Sequence, residues 1–437
     1  MKRNHNATLM CVLVLSMLSV SINVNANPVE RTIKTVTDYP VQQLVATKNK
    51  NKKDKNDWPV IAYEQNNKCY LIAAADKDGE YNLASLGIPV QNLPPVPSIV
   101  TDKNGHIYLS YIWNDFTSGI MLHGFNSSSL YQNFVKKFVC SLSSLYMVMA
   151  VSLTELDPDT DIPVIVQRGY WGVNELTLRW MDNKKNWNCH DFHTPGLLYS
   201  IGKASLEINP KDGRKTCVIT YATKIYIEGT DTVKYLSLNV IKLEGKYDKT
   251  NNKWTGDWDW KFFSLESVKL DDYSNFIQPT KSLRKIDKND PTKFWTGYVS
   301  VDSNKKQKFN LTKVKVEADG TTKDRYSICL PKGFSLNPVR KGVDIITEAQ
   351  IMVDFAFLND ETVLLVMSDA KKTYYAVWNY VSKKIKWTEL PETYAFSITT
   401  SADKVFLIYS QQNHLYPKYY DIKLITFNAD NNQIKGL

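Results

Sequence analysis

A chain of 437 residues with 43% hydrophobic and 23% charged side chains can bury a sizeable core and does not have the composition of a disordered protein. Its formal charge of +9 is a modest excess that no basic helix or nucleic-acid motif accompanies, which argues against nucleic acid as a partner. Six cysteines in so long a chain leave the fold to its apolar core.

In chain order, Lys2, Arg3 and His5 precede an apolar run from Leu9 to Val20 that is too short to cross a bilayer of roughly 30 Å as a helix. Val24 and Ala26 are the small residues a signal peptidase needs, so residues 1–26 read as a signal peptide cut after Ala26. This predicts a secreted protein, periplasmic or extracellular. No later stretch reaches the ~18 uninterrupted apolar residues of a membrane span. Residues 27–56, ending in the basic run Lys48 to Asn56 ("KNKNKKDKN"), read as a flexible tail before a single domain over 57–437. In an oxidising compartment up to two disulfides could form among Cys69, Cys140, Cys189, Cys217 and Cys329, with pairing undetermined.

From Lys68 onward one phrase recurs: "KCYLIAA" from Lys68, "HIYLSY" from His106, "LYMVMAV" from Leu145, "TCVITYA" from Thr216, "KFWTGYV" from Lys293, "TVLLVMS" from Thr362 and "KVFLIYS" from Lys404. Each is rich in β-branched and aromatic residues and apolar on both faces, as a strand covered by sheets on both sides must be. Turn residues precede most of them, Asn104-Gly105 among them, and Asn and Asp in "LNDE" from Leu358 and "SADK" from Ser401. A short extended run comes before several ("PSIV", "IMVDFAFL", "AFSITT") and a more polar strand after ("GIMLHGFN", "TYYAVWNY", "DIKLITFN"). With Cys69, Ile107, Leu145, Cys217, Phe294, Val363 and Val405 as equivalent anchors, the short intervals are about 40 residues, the size of a propeller blade, and the long ones about 70.

The sequence therefore predicts an all-β chain, a β-propeller of seven blades, with eight as the alternative count and a β-sandwich as the alternative architecture. The last strand-like run is expected to close the ring against a strand near Trp58. The phrases lack the Gly-His and Trp-Asp pairs of WD repeats and the double glycine of kelch repeats.

Candidate chemistry is sparse. "DPDTD" places Asp157, Asp159 and Asp161 at alternate positions, the way calcium loops begin, but Ile162 and Arg168 stand where an EF-hand needs Gly and Glu. A structural calcium on a looser loop is the one cofactor the sequence suggests; a solvated acidic turn is the alternative. "NCHDFH" puts Cys189, Asp191 and His193 on one strand face and His190 on the other, fewer convergent ligands than a zinc site wants. "WTGDWDWKFF" puts Trp258, Trp260 and Phe262 on one face, which would stack sugar rings or a partner's apolar patch if exposed, and pack between blades if buried. Trp113, Trp171 and Trp295 are the other aromatic candidates for ligand contact. Asn126 and Asn310 head glycosylation acceptors, relevant in a eukaryotic host.

No Gly-x-Ser-x-Gly elbow is present, and scattered carboxylates carry no hydrolytic geometry in sequence. The expected function is recognition of a glycan or protein ligand through loops at one end of the ring. The alternatives are a secreted carbohydrate-active hydrolase with carboxylates at the central channel, or a structural subunit of a surface complex.

Overall fold

A computed structural model describes the chain between residues 28 and 428, apart from 49–57, 73–79, 83–97, 127–134, 142–149, 284–292, 335–351 and shorter stretches in other connections. The expected signal peptide and the anchor Leu145 lie outside the described residues. Among the described residues the regular structure is all strand, and no helix is long and apolar enough to cross a membrane.

The strands among the described residues fall into seven antiparallel sheets. After β1 (Val29–Thr37), the first sheet holds β2 (Val41–Thr47), β3 (Val60–Gln65), β4 (Lys68–Ile72) and β5 (Glu80–Asn82). The second holds β6 (Ser98–Thr101), β7 (His106–Trp113), β8 (Gly119–Asn126) and β9 (Val135–Ser141). The third holds β10 (Ala150–Asp157), β11 (Ile162–Arg168), β12 (Glu175–Met181) and β13 (Trp187–His193). In the fourth, β14 (Leu197–Ile201) and β15 (Ser205–Ile208) pair one after the other with β16 (Lys215–Tyr226), followed by β17 (Val233–Asp248) and β18 (Lys253–Lys269). The fifth holds β19 (Phe276–Leu283), β20 (Lys293–Val301), β21 (Gln307–Val316) and β22 (Thr321–Cys329). The sixth holds β23 (Met352–Phe357), β24 (Thr362–Ser368), β25 (Thr373–Asn379) and β26 (Lys384–Leu390). The seventh holds β27 (Thr393–Thr400), β28 (Lys404–Gln412) and β29 (Tyr419–Asn428), and takes β1 as its outermost strand.

Each sheet touches the next through its first strands, and β27 of the seventh touches β2 of the first, so the contacts close into a ring. This is a β-propeller, and the sandwich alternative does not fit a cycle of sheets.

Two expectations are corrected here. The expected flexible tail over 27–56 is not free where it is described: Val29–Thr37 and Val41–Thr47 are strands of two different sheets, and 49–56 lie outside the described residues. Ring closure is made by β1 lying along β29 from Val29↔Thr426 to Thr37↔Tyr419, not by a strand near Trp58. Trp58 instead packs beside this seam, with the Arg31 guanidinium over its ring.

Buried apolar faces explain the strands. Second strands such as β24 and β28 are buried along nearly their whole length, because each lies between neighbours within its sheet and between two flanking sheets. Successive side chains of β28 feed different cores: Phe406 and Ile408 face the first sheet, Val405, Leu407 and Tyr409 the sixth. Outer strands such as β26 stay largely exposed.

Polar bolts join the sheets. Ser98 Oγ accepts the N–H of Leu153 at 2.9 Å, and Ser152 Oγ that of Ala204 at 3.1 Å. Asp354 Oδ2 accepts the N–H of Ile398 at 2.7 Å, and Ser397 Oγ that of Ala46 at 3.1 Å. In each case an oxygen on one innermost segment satisfies an amide on the next sheet's, where no ladder partner exists. Between the third and fourth sheets Lys215 Nζ lies 2.7 and 2.8 Å from the two carboxylate oxygens of Asp157. Between fifth and sixth the approach is steric: a Cβ on Gly297 would collide with the Phe355 ring.

Candidate functional site

Antiparallel pairing sends the connection between second and third strands out of the same end of the ring as the connection from each fourth strand to the next sheet. On this upper end lie Tyr39, Tyr226, Ile227, Leu415, Tyr416 and Tyr419, all exposed. Leu415 is 81% exposed and Tyr416 60%, the most exposed large hydrophobics among the described residues, and they are neighbours in one loop.

The connection from β28 to β29, residues 413–418, holds these two side chains. It is short and stiffly hydrogen-bonded. Asn413 Oδ1 accepts the N–H of Leu415 at 2.9 Å and of Tyr416 at 3.2 Å, an Asx turn that bends the chain back. Asn413 N–H donates to Tyr419 O at 2.8 Å, Tyr419 N–H to Tyr416 O at 2.9 Å, and Gln412 Nε2 to Pro417 O at 2.7 Å. The Tyr416 and Tyr419 rings meet edge to face at 5.6 Å. The loop rests on the β1–β2 corner, where Asp38, at φ 71°, donates its N–H to Lys418 O at 2.7 Å. Gln65 Nε2 clamps that corner through Thr37 O and Tyr39 O, each at 2.9 Å. The result is a preorganised apolar knob.

A second exposed aromatic group sits on the outer rim where the third and fourth sheets meet. Trp260, 44% exposed, packs on His190 at 4.5 Å and edge-on to the buried Phe192 at 5.3 Å, with Phe262 beside it. These rings cap the core between the two sheets and leave one Trp260 face to solvent.

The sequence candidates are distributed as follows. Trp258 is buried edge to face against Trp180 at 6.3 Å, and Trp295 is buried among Phe357, Tyr326 and Tyr380, so neither offers its ring to a ligand. Trp113 ends β7 on the upper side; its side chain, like the whole of Trp171, lies outside the described set. Asp157 is corrected as a calcium ligand, because both its oxygens hold Lys215 in the interior; Asp159 and Asp161 lie outside the described residues. Cys189, Asp191 and His193 do share an exposed face of β13, but Asp191 accepts from Thr177 at 2.6 Å and no metal-like cluster occurs among the described residues. Asn310 is corrected as a glycosylation acceptor: it is buried, its Nδ2 donating to Ser300 Oγ at 2.8 Å and its Oδ1 accepting from Ser327 Oγ at 2.7 Å. Asn126 ends β8, with its side chain outside the described set.

Cys69, Cys189, Cys217 and Cys329 are free thiols, so the expected disulfides do not form among them. Burial pushes the Cys69 thiol up to about 12, with Glu64 adding to the effect, and burial raises Cys217 as well. Both are inert packing groups.

Three acids at the ring's interior are engaged. Asp102 accepts the His106 N–H at 2.8 Å and sits 2.7 Å from its Nδ1, Asp157 holds Lys215, and Asp354 accepts the amides of Phe355 and Ile398. The knob was missed in sequence. Its signal was Asn413 and Pro417 bracketing apolar residues in a turn-length gap between two strands.

No protein-family model matches the chain, and no curated protein sequence matches it. Its backbone is similar to solved structures, among them BBS1N in complex with ARL6DN, at 10% identity and TM-score 0.46, over 92% of this chain and 99% of that one. It is also similar to an α-L-arabinanase from Penicillium chrysogenum, at 11% identity and TM-score 0.40 over 92% and 99% of the two chains. SapL1 lectin is similar at 10% identity and TM-score 0.35 over 76% and 95%. Likeness at such identities concerns the fold and carries no activity across.

Proposed function

We propose that this chain is an exported, seven-bladed propeller, one blade per sheet, that binds a protein partner through its upper end without catalysis. The observation that carries the reading is the 413–418 loop, which spends a network of hydrogen bonds to hold Leu415 and Tyr416 in water. Rigid, exposed aromatic and aliphatic anchors on a stiff scaffold are what interface hot spots are made of, since little ordering entropy remains to be lost on binding. Leucine at the tip favours an apolar protein pocket over a sugar, whose ring faces stack on flat aromatic surfaces.

The test is a photo-crosslinker placed at Tyr416 in the exported protein, followed by affinity measurements with the protein it captures. Leu415→Asp or Tyr416→Ala is expected to weaken binding about 30-fold or more, as loss of a hot spot does, while Val381→Asp, exposed at the opposite end, changes nothing. Undiminished affinity in both knob variants would refute the reading. Glycan-array binding abolished by Trp260→Ala would replace it with sugar recognition at the rim. Removal of residues 1–26 is checked by N-terminal sequencing of the exported chain.

A further inference from the structure

We propose that docking of strand β1 and ordering of the 413–418 knob are a single event, tied through the carboxylate of Asp421, so that ring closure regulates the recognition surface. This rests on the knob being the binding surface. The tie itself is visible without any partner.

Asp421, in β29, is 7% exposed and lies opposite Thr35 of β1. Its Oδ1 accepts the Thr35 hydroxyl at 2.7 Å, and its Oδ2 accepts Asn413 Nδ2 at 3.1 Å. The same Asn413 turns its other amide atom, Oδ1, to the N–H groups of Leu415 and Tyr416. A relay therefore runs from the closing strand through one buried carboxylate to the side chain that folds the knob. The Asp38 N–H to Lys418 O bond, at 2.7 Å, adds a main-chain tie between the corner leaving β1 and the far side of the loop. With β1 undocked, Asp421 loses one of its two donors, the corner releases Lys418, and nothing in this relay holds Asn413 in the orientation that caps Leu415 and Tyr416.

Linkage makes the effect reciprocal: whatever binds the ordered knob tightens the seam, and whatever loosens the seam weakens binding by the same factor. A strand whose pairing partner lies almost a full chain length away would thereby report ring integrity to the surface that meets the partner.

Hydrogen exchange on the full chain tests the tie directly. Thr35→Val removes the hydroxyl and keeps the shape; exchange at the Leu415 and Tyr416 amides is expected to speed up about five-fold or more, the lower end of ordinary coupling. Thr35→Ser is expected to restore it. In the opposite direction, Asn413→Ala cuts the knob's side of the tie and is expected to speed exchange along β1. Faster exchange in β1 alone for Thr35→Val, or an unchanged β1 in Asn413→Ala, overturns the proposal. Leu415→Asp separates the two ideas: it is expected to remove partner binding and leave both exchange rates as they were. If it leaves binding intact, the surface assignment fails while the exchange result still decides the tie.

Discussion

Replacing Asp157 by Ala removes the carboxylate that faces Lys215 between the third and fourth sheets. Both side chains are only 2% exposed, so the ammonium is left in the interior with its main counter-charge gone. Breaking a buried pair from one side costs about 3–5 kcal/mol. Unfolding entropy is about 2 cal/mol/K per residue, so for a domain of roughly 400 residues each kcal/mol moves Tm by about 1.2 °C, and the loss should be about 4–6 °C. Differential scanning calorimetry on wild type, Asp157→Ala and the paired variant Asp157→Leu/Lys215→Met reads it. The paired variant is expected to recover most of the loss, because an apolar pair of similar volume carries no desolvated charge. EDTA and added calcium are expected to leave the wild-type Tm where it is. A wild-type Tm that falls in EDTA, with Asp157→Ala insensitive to it, would make Asp157 a calcium ligand and refute the ion-pair account.

Gly297→Ala is expected to destabilise by about 1–3 kcal/mol through overpacking against Phe355, and Phe355→Leu in the same chain to restore part of it; denaturant titration measures both. Ser397→Ala leaves the buried Ala46 amide without its acceptor and is expected to cost about 1–3 kcal/mol in the same titration. The cysteines divide by exposure: Ellman's reagent should label Cys189 and Cys329 in the native protein, and Cys69 and Cys217 only on unfolding. Cys69 also sets a pH dependence. The folded state keeps its proton to about 12, whereas an unfolded thiol loses it near ~8.5, so the contribution is complete below ~8.5 and falls as pH rises through that window. The slope is on the order of 1 kcal/mol per pH unit for each such thiol, Cys217 adds to it in the same direction, and Cys69→Ala should remove the Cys69 share in titrations at successive alkaline pH values.

The second strands were legible because they are paired on both edges, flanked by neighbouring sheets and buried along nearly their whole length. The anchors Ile107, Cys217, Phe294, Val363 and Val405 all fall on second strands. Cys69 falls on β4, a third strand, because β3 and β4 both carry buried apolar runs, Val60 to Tyr63 and Leu71 to Ile72, and sequence cannot rank two adjacent buried strands. β11 escaped notice although its core positions Val164, Ile165 and Val166 are fully buried, since its phrase opens on Pro163 and ends on Arg168. Outer strands carried a weaker signal: β13 showed only as the alternating faces of "NCHDFH", and β26, exposed along much of its length, went unread. The role of β1 was unreadable in principle, because its partner β29 lies at the other end of the described chain and local pattern contains no register. The same limit split the Trp258–Trp260 pair. Both project to one face, and only the reach of the neighbouring sheet decides that Trp180 covers the first while the second meets solvent.

The division of labour among polar residues bears on the hydrolase alternative. A glycosidase needs two carboxylates roughly 5–10 Å apart with free oxygens facing a substrate. Asp157 and Asp354 on innermost strands, and Asp102 just beyond β6, direct their oxygens to an ammonium, two amides, and an amide with an imidazole. Those bonds fasten sheets and turns, while Glu155 and Glu207, also on innermost strands, have side chains outside the described set. Among the described connections, the 413–418 loop carries the most exposed large apolar side chains together with a network of hydrogen bonds. On the proposed protein-binding role, such preorganisation would leave little ordering entropy to be lost when a partner's pocket closes over Leu415 and Tyr416.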